Sequence, residues 1–147
     1  MRKLACLLMV FLLAGCMATL SPYLNQSVQE GEERVAGIGD TFFEHSAGQN
    51  KTDPMMPMLG EIPVSGEKYD LTILELNQER IGLQYNEFYY QPPHTIGNTT
   101  IPGGWMVKQG FNNRFDYAVA DKIVRFKGYE FEVLSVENGQ IKYRRLK

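Results

Sequence analysis

The chain has 147 residues, 44% of them apolar, with a formal net charge of −2, two cysteines and two histidines. That length holds one ordinary domain, and the mild acidity argues against nucleic acid as a partner and against electrostatic adsorption to an anionic bilayer. Both cysteines, Cys6 and Cys16, fall near the N-terminus. The rest of the chain therefore offers no thiol for nucleophilic or redox chemistry, for a disulfide or for Cys-ligated zinc.

In chain order, Arg2 and Lys3 precede an apolar run from Leu4 to Leu13, which ends in Leu13-Ala14-Gly15-Cys16. A basic start, a short apolar core and small residues before a cut are the marks of an export signal. A run of this length falls short of the roughly 20 apolar residues that span a bilayer. The segment resembles a bacterial lipoprotein signal peptide with its lipobox. The resemblance implies that residues 1–15 are removed and that the Cys16 thiol carries a diacylglyceryl thioether. It also implies that the new amino terminus is acylated, as with palmitate, and that the membrane is a partner through this anchor. Met17 stands where Asp would favour inner-membrane retention, so the resemblance points to the outer membrane, on its periplasmic side. Cleavage before Cys16 leaves 132 of the 147 residues and, with Arg2 and Lys3 gone, takes the net charge from −2 to −4.

Residues 16–34 read as lipidated cysteine and flexible tether, with Ser21-Pro22, Asn25-Gln26-Ser27 and an acidic Glu30-Gly31-Glu32-Glu33. A single domain is then expected over 35–147. Val35 to His45 reads as a first strand, bent or bulged at Gly37 and Gly39. Ser46 to Gly66, with Gly48, Pro54, Pro57 and Pro63, reads as loop. Tyr69–Leu76, a turn at Asn77–Glu79 and Ile81–Tyr85 form a predicted hairpin, since Ile81, Leu83 and Tyr85 alternate with Gly and polar residues. Tyr129–Val136, a turn at Glu137–Gly139 and Ile141–Tyr143 repeat the plan sixty positions later, with Tyr69, Leu74 and Ile81 meeting Tyr129, Leu134 and Ile141. Asn138-Gly139 is a strong hairpin signal. The repetition fits either an internal duplication or the general grammar of hairpins.

Between the hairpins, Gln91 to Gly104 reads as loop. Trp105–Gln109, Arg114–Val119 and Lys122–Phe126 read as short strands, with a turn at Gly110–Asn113 and one possible helical turn at Ala118–Asp121. With about seven or eight strands and no amphipathic helix, the expected class is all-β, a small antiparallel barrel or sandwich.

Few residues carry chemistry. There is no Gly-x-Ser-x-Gly; Pro63-Val64-Ser65-Gly66 lacks its first glycine, and His45 and His94 are the only imidazole bases. Gly37-Ile38-Gly39-Asp40 is followed by a strand pattern, whereas a phosphate loop needs a helix N-terminus. Glu130 and Glu132 alternate with Phe131 and Val133 and read as solvated charge rather than an acid–base pair. Met55, Met56 and Met58, with His45, form a candidate soft-metal set suited to Cu(I), although methionine also fills irregular gaps. Phe88-Tyr89-Tyr90, with Trp105, is the candidate contact surface: consecutive aromatics on a strand point to both faces, and such residues anchor interfaces. Three Asn-x-Ser/Thr matches, at Asn25, Asn50 and Asn98, are read as incidental because the lipobox resemblance implies a bacterial source.

These features lead to the expectation of a non-catalytic envelope lipoprotein, free of cofactors other than its covalent lipid, that binds another envelope protein or polymer. Metal binding at the methionine loop is the alternative, and an unrecognised hydrolase the second.

Overall fold

A computed structural model describes residues 18–52 and 60–147. The described chain is all-β and antiparallel, as expected, with the two sheets of a sandwich and no closed barrel. The first sheet has the order β1-β3-β4-β5-β8, from strands β1 (Thr19–Gln26), β3 (Thr41–Thr52), β4 (Glu61–Leu76), β5 (Arg80–Gln91) and β8 (Gly104–Ala118). The second has the order β2-β11-β10-β9, from β2 (Glu33–Gly37), β9 (Ile123–Phe126), β10 (Tyr129–Glu137) and β11 (Gln140–Arg145). A small hairpin of β6 (His94–Ile96) and β7 (Thr99–Ile101) leaves the end of the first sheet. The chain crosses between these two sheets three times: through residues 27–32 between β1 and β2, at the β2–β3 turn, where Gly39 has φ +90° and the Gly37 amide donates to the Asp40 carboxylate (2.7 Å), and at the 3-10 turn Val119–Asp121 between β8 and β9.

The core lies between the sheets. Phe42, Phe43, Leu71, Ile73, Ile81 and Leu83 from the first sheet meet Val124, Phe131, Ile141 and Tyr143 from the second, all fully buried. Phe42 stacks on Tyr143 at 4.2 Å between ring centroids and meets the edge of Phe131 at 5.0 Å. The Tyr143 hydroxyl donates to the Phe42 carbonyl, and burial pushes its pKa up to about 12. The hydroxyl thus stays a donor across the physiological range.

Both predicted hairpins are present, and their ladders correspond residue for residue. Ile73 faces Leu83 and Glu75 faces Gly82, leaving Leu74 as a bulge; Val133 faces Tyr143 and Ser135 faces Lys142, leaving Leu134. The sixty-position shift therefore extends to the register slip, which turns each hairpin tip in the same way. The two tips adjoin around a small hollow lined by Leu76, Gln78, Val136 and Asn138.

Three expectations need correction. The described domain already includes Thr19 rather than starting at Val35: β1 pairs with β3 along its whole length, Val28 is fully buried, and Arg145 exchanges backbone bonds with Gly31 and Glu32. Residues 19–34 are thus part of the domain and not tether. Val35–His45 is two strands in different sheets, split by the turn at Gly37–Asp40. The predicted loops at Ser46–Gly66 and Gln91–Gly104 contain all of β6 and β7, more than half of β3 and the first six residues of β4; β8 spans the expected turn at Gly110–Asn113 as one strand, with a bulge that leaves residues 108–111 out of the ladder opposite Glu87 and Gly110 at φ +81°, and the described residues hold eleven strands instead of seven or eight. Around Gly48 and Gly66 the glycines serve pairing: the two face each other across β3 and β4, and a Cβ on Gly48 would lie 2.0 Å from the Ser65 carbonyl oxygen.

Candidate binding cleft

The strands of the first sheet are longer than those of the second. Past the level of Tyr69 and Tyr85 they continue beyond the sandwich as a distal sheet, which ends at Thr19, Thr52, Glu61, Gln91 and Gly104. Within it the ladder between β4 and β5 runs from Leu76↔Ile81 to Lys68↔Phe88 and stops. Beyond that point β4 pairs only with β3 and β5 only with β8. The sheet splits down its middle into a cleft of about 420 Å³, lined by Ile62, Val64, Phe88, Tyr89, Tyr90 and Pro92.

Every second residue of an antiparallel strand turns its N–H and C=O toward each neighbour. The split therefore leaves two free strand edges facing one another over an apolar and aromatic floor. Pro63 has no N–H, and Val64 is the extra residue of a bulge between Gln49 and Asn50. These limit the usable edge of β4 to a few residues near Ser65–Glu67, opposite Tyr89–Gln91.

Of the predicted contact residues, Phe88, Tyr89 and Tyr90 line the cleft, and none belongs to the buried core. Tyr89 is 50% exposed and faces Met106, and Tyr90 faces Trp105 on the opposite side of the sheet, with their rings edge to face at 5.6 Å. Lys68 lies over the Phe88 ring at 5.3 Å. The β4 wall was missed by sequence reasoning. Its only signal was the alternation of Ile62 and Val64, masked by Pro63 and Gly66.

The sandwich end that faces the distal sheet is closed by polar and aromatic side chains. His45 is buried and stacked on Tyr69 at 4.8 Å. Its Nδ1 meets the Tyr129 hydroxyl at 2.8 Å and its Nε2 lies 3.4 Å from Glu67. Gln26 donates to Tyr129 (2.8 Å) and accepts from Arg145 (2.6 Å). Lys127 donates to the Tyr85 hydroxyl (2.7 Å) and sits over the Tyr69 ring. Burial holds the His45 pKa below the ordinary imidazole value, partly offset by Glu67. With both ring nitrogens engaged inside the domain, His45 is a packing residue. It also stands seven residues from Thr52, the last described residue of β3, about 24 Å along an extended strand. Met55, Met56 and Met58 lie outside the described residues. Among the described residues no group of three His, Cys, Asp or Glu side chains could hold a metal ion, and no hydrogen bond joins either histidine to a serine. Glu130 and Glu132 are ion-paired with Arg125 (2.9 Å) and Arg144 (3.8 Å) at the surface.

A second depression, lined by Glu79, Arg80, Asp116 and Tyr117, has a similar volume. There the β5–β8 ladder is intact (Arg80↔Ala118, Ile81↔Tyr117), so no free edge opens between those strands. The chain matches no protein-family model, no curated protein and no solved structure. Its function must be argued from its own geometry.

Proposed function

We propose that this chain is a lipid-anchored protein of the bacterial cell envelope, held through Cys16 on the periplasmic side of the outer membrane. Its β domain is non-catalytic and binds an extended segment of another envelope protein by strand addition in the cleft. One observation carries the reading: the β4–β5 ladder ends at Lys68↔Phe88 in the interior of a sheet, above aromatic side chains. Peptide recognition by β-augmentation uses this combination, with main-chain bonds for affinity and pockets for alternate side chains. Unpaired peptide groups favour a polypeptide over an envelope polymer as the occupant, and the short usable edge selects a segment of a few residues. The lipobox residues Leu13-Ala14-Gly15-Cys16 support the anchor.

A photo-crosslinking amino acid at Tyr89, compared with one at the exposed Val35 of the sandwich, tests the reading in intact cells. The expected result is one defined protein adduct from position 89, with its cross-link mapped to a single short segment, and none from position 35. Equal or absent adducts would reject the cleft. Separately, Cys16→Ala is expected to abolish lipid labelling and membrane association; a lipid-labelled product would reject the anchor.

A further inference from the structure

The inclusion of β1 in the domain changes what the anchor does. Cys16 precedes Thr19, the first residue of β1, by three positions, a reach of at most about 11 Å at full extension. Thr19 sits at the far end of the distal sheet, so an anchored Cys16 holds that end against the bilayer with no slack to stand off. The residues there suit a lipid surface. Leu20 and Leu24 lie on one face of β1 and are 56% and 62% exposed, and Ile96 of the β6–β7 hairpin is 65% exposed. Tyr23, Tyr89, Tyr90 and the single tryptophan, Trp105, belong to the same half. Such rings settle at the headgroup level.

Charge thins toward the far end of this half. Glu67, Lys68, Glu87 and Lys108 stand near its junction with the sandwich, where Lys68 pairs with Glu44 and Lys108 with Glu87, whereas farther out, among the described residues of β1, Ser46–Thr52, Glu61–Gly66 and Phe88–Val107, only Lys51 and Glu61 are charged. Lys51 faces Leu20 across the β1–β3 ladder, where its stem can cover the leucine and its ammonium reach a headgroup. We infer that the distal sheet enters the headgroup region end-on, in the leaflet that holds the Cys16 lipid, with Leu20 and Leu24 on one face of the sheet, Trp105 on the other and Ile96 of the hairpin in contact with lipid, so that the cleft opens beside the membrane. This rests on the lipid-anchor reading of Cys16.

Trp105 supplies the probe. The full lipidated protein is placed in phosphatidylcholine vesicles whose acyl chains do or do not carry bromine near the headgroup, and the lipid on Cys16 is confirmed by mass. Trp105 emission is expected to fall at least about twofold in brominated vesicles if the ring sits at the interface. Leu20→Asp together with Leu24→Asp should restore most of it while Cys16 remains lipidated. Emission indifferent to bromine in a lipidated chain would overturn the inference alone. Quenching that disappears as protein is concentrated on the vesicle would assign the face to a second copy and overturn it too. A chain without lipid on Cys16 would remove the anchor reading and this inference with it.

Discussion

The sandwich and the distal sheet share four long strands, β3, β4, β5 and β8, yet they are built for opposite ends. In the sandwich, β4 has neighbours on both sides and a second sheet over one face, and Leu71, Ile73, Leu83 and Phe131 are fully buried. In the distal sheet the same β4 has lost one neighbour and its cover, and exposed Leu20, Leu24, Val64, Tyr89, Ile96 and Met106 gather there. Exposed apolar groups concentrated in one region mark contact surfaces, whereas single ones are ordinary. Stability is thus expected to reside in the sandwich and recognition in the distal half, and substitutions in the two should separate cleanly.

The largest effect should come from the cross-sheet ring cluster. Phe131→Ala removes a ring that packs on Phe42, Phe43 and Tyr143, and chemical denaturation should show a loss of about 3–5 kcal/mol. Next is the glycine pair. Gly48→Val sets a side chain against the β4 backbone and should cost about 1–3 kcal/mol. By hydrogen exchange the loss should be confined to Ser46–Thr52 and Glu61–Gly66, with Leu71–Leu76 still protected. If protection is lost everywhere, the two halves are one cooperative unit.

A pH effect belongs to the junction. Because burial depresses the His45 pKa, the unfolded chain binds this proton more readily than the folded one. Stability contributed by neutral His45 is present above the unfolded value of about 6.5 and declines as pH falls below it. Denaturation midpoints between pH 7.5 and 5 should drop for the native chain and drop less for His45→Gln; equal slopes would deny His45 this role. The smallest effect on stability is expected from Tyr89→Ala, within about 0.5 kcal/mol for an exposed site, together with loss of the adduct formed by a photo-crosslinking residue placed at Val64 on the facing wall of the cleft.

How much of this was legible in the sequence follows the same division. Tyr69–Tyr85 and Tyr129–Tyr143 alternate because one face is buried under the other sheet, so burial wrote a period of two into them. The matching bulges at Leu74 and Leu134 were already foreshadowed by the sixty-position correspondence. The distal strands carry no such signature, because neither face is fully buried. Gly48, Pro63 and Gly66 look like breakers, although the glycines permit a close strand pair beside which the Tyr23 hydroxyl lies. β1 was hidden for a related reason. Its inward contact, Gln26, reaches the core region through hydrogen bonds to Tyr129 and Arg145, which hydrophobic periodicity does not detect. Phe88-Tyr89-Tyr90 could be singled out from composition alone, but the cleft needed the register, since only pairing shows where a ladder stops.

That stop is the central claim, and hydrogen exchange along β4 in the native protein tests it most directly. The account predicts that amides of Tyr69–Leu76 are protected throughout, while about half of those in Glu61–Glu67, the ones turned toward the cleft, exchange rapidly. Uniform protection from Glu61 to Leu76 would mean that β5 stays paired with β4 to its end, and the cleft would not exist.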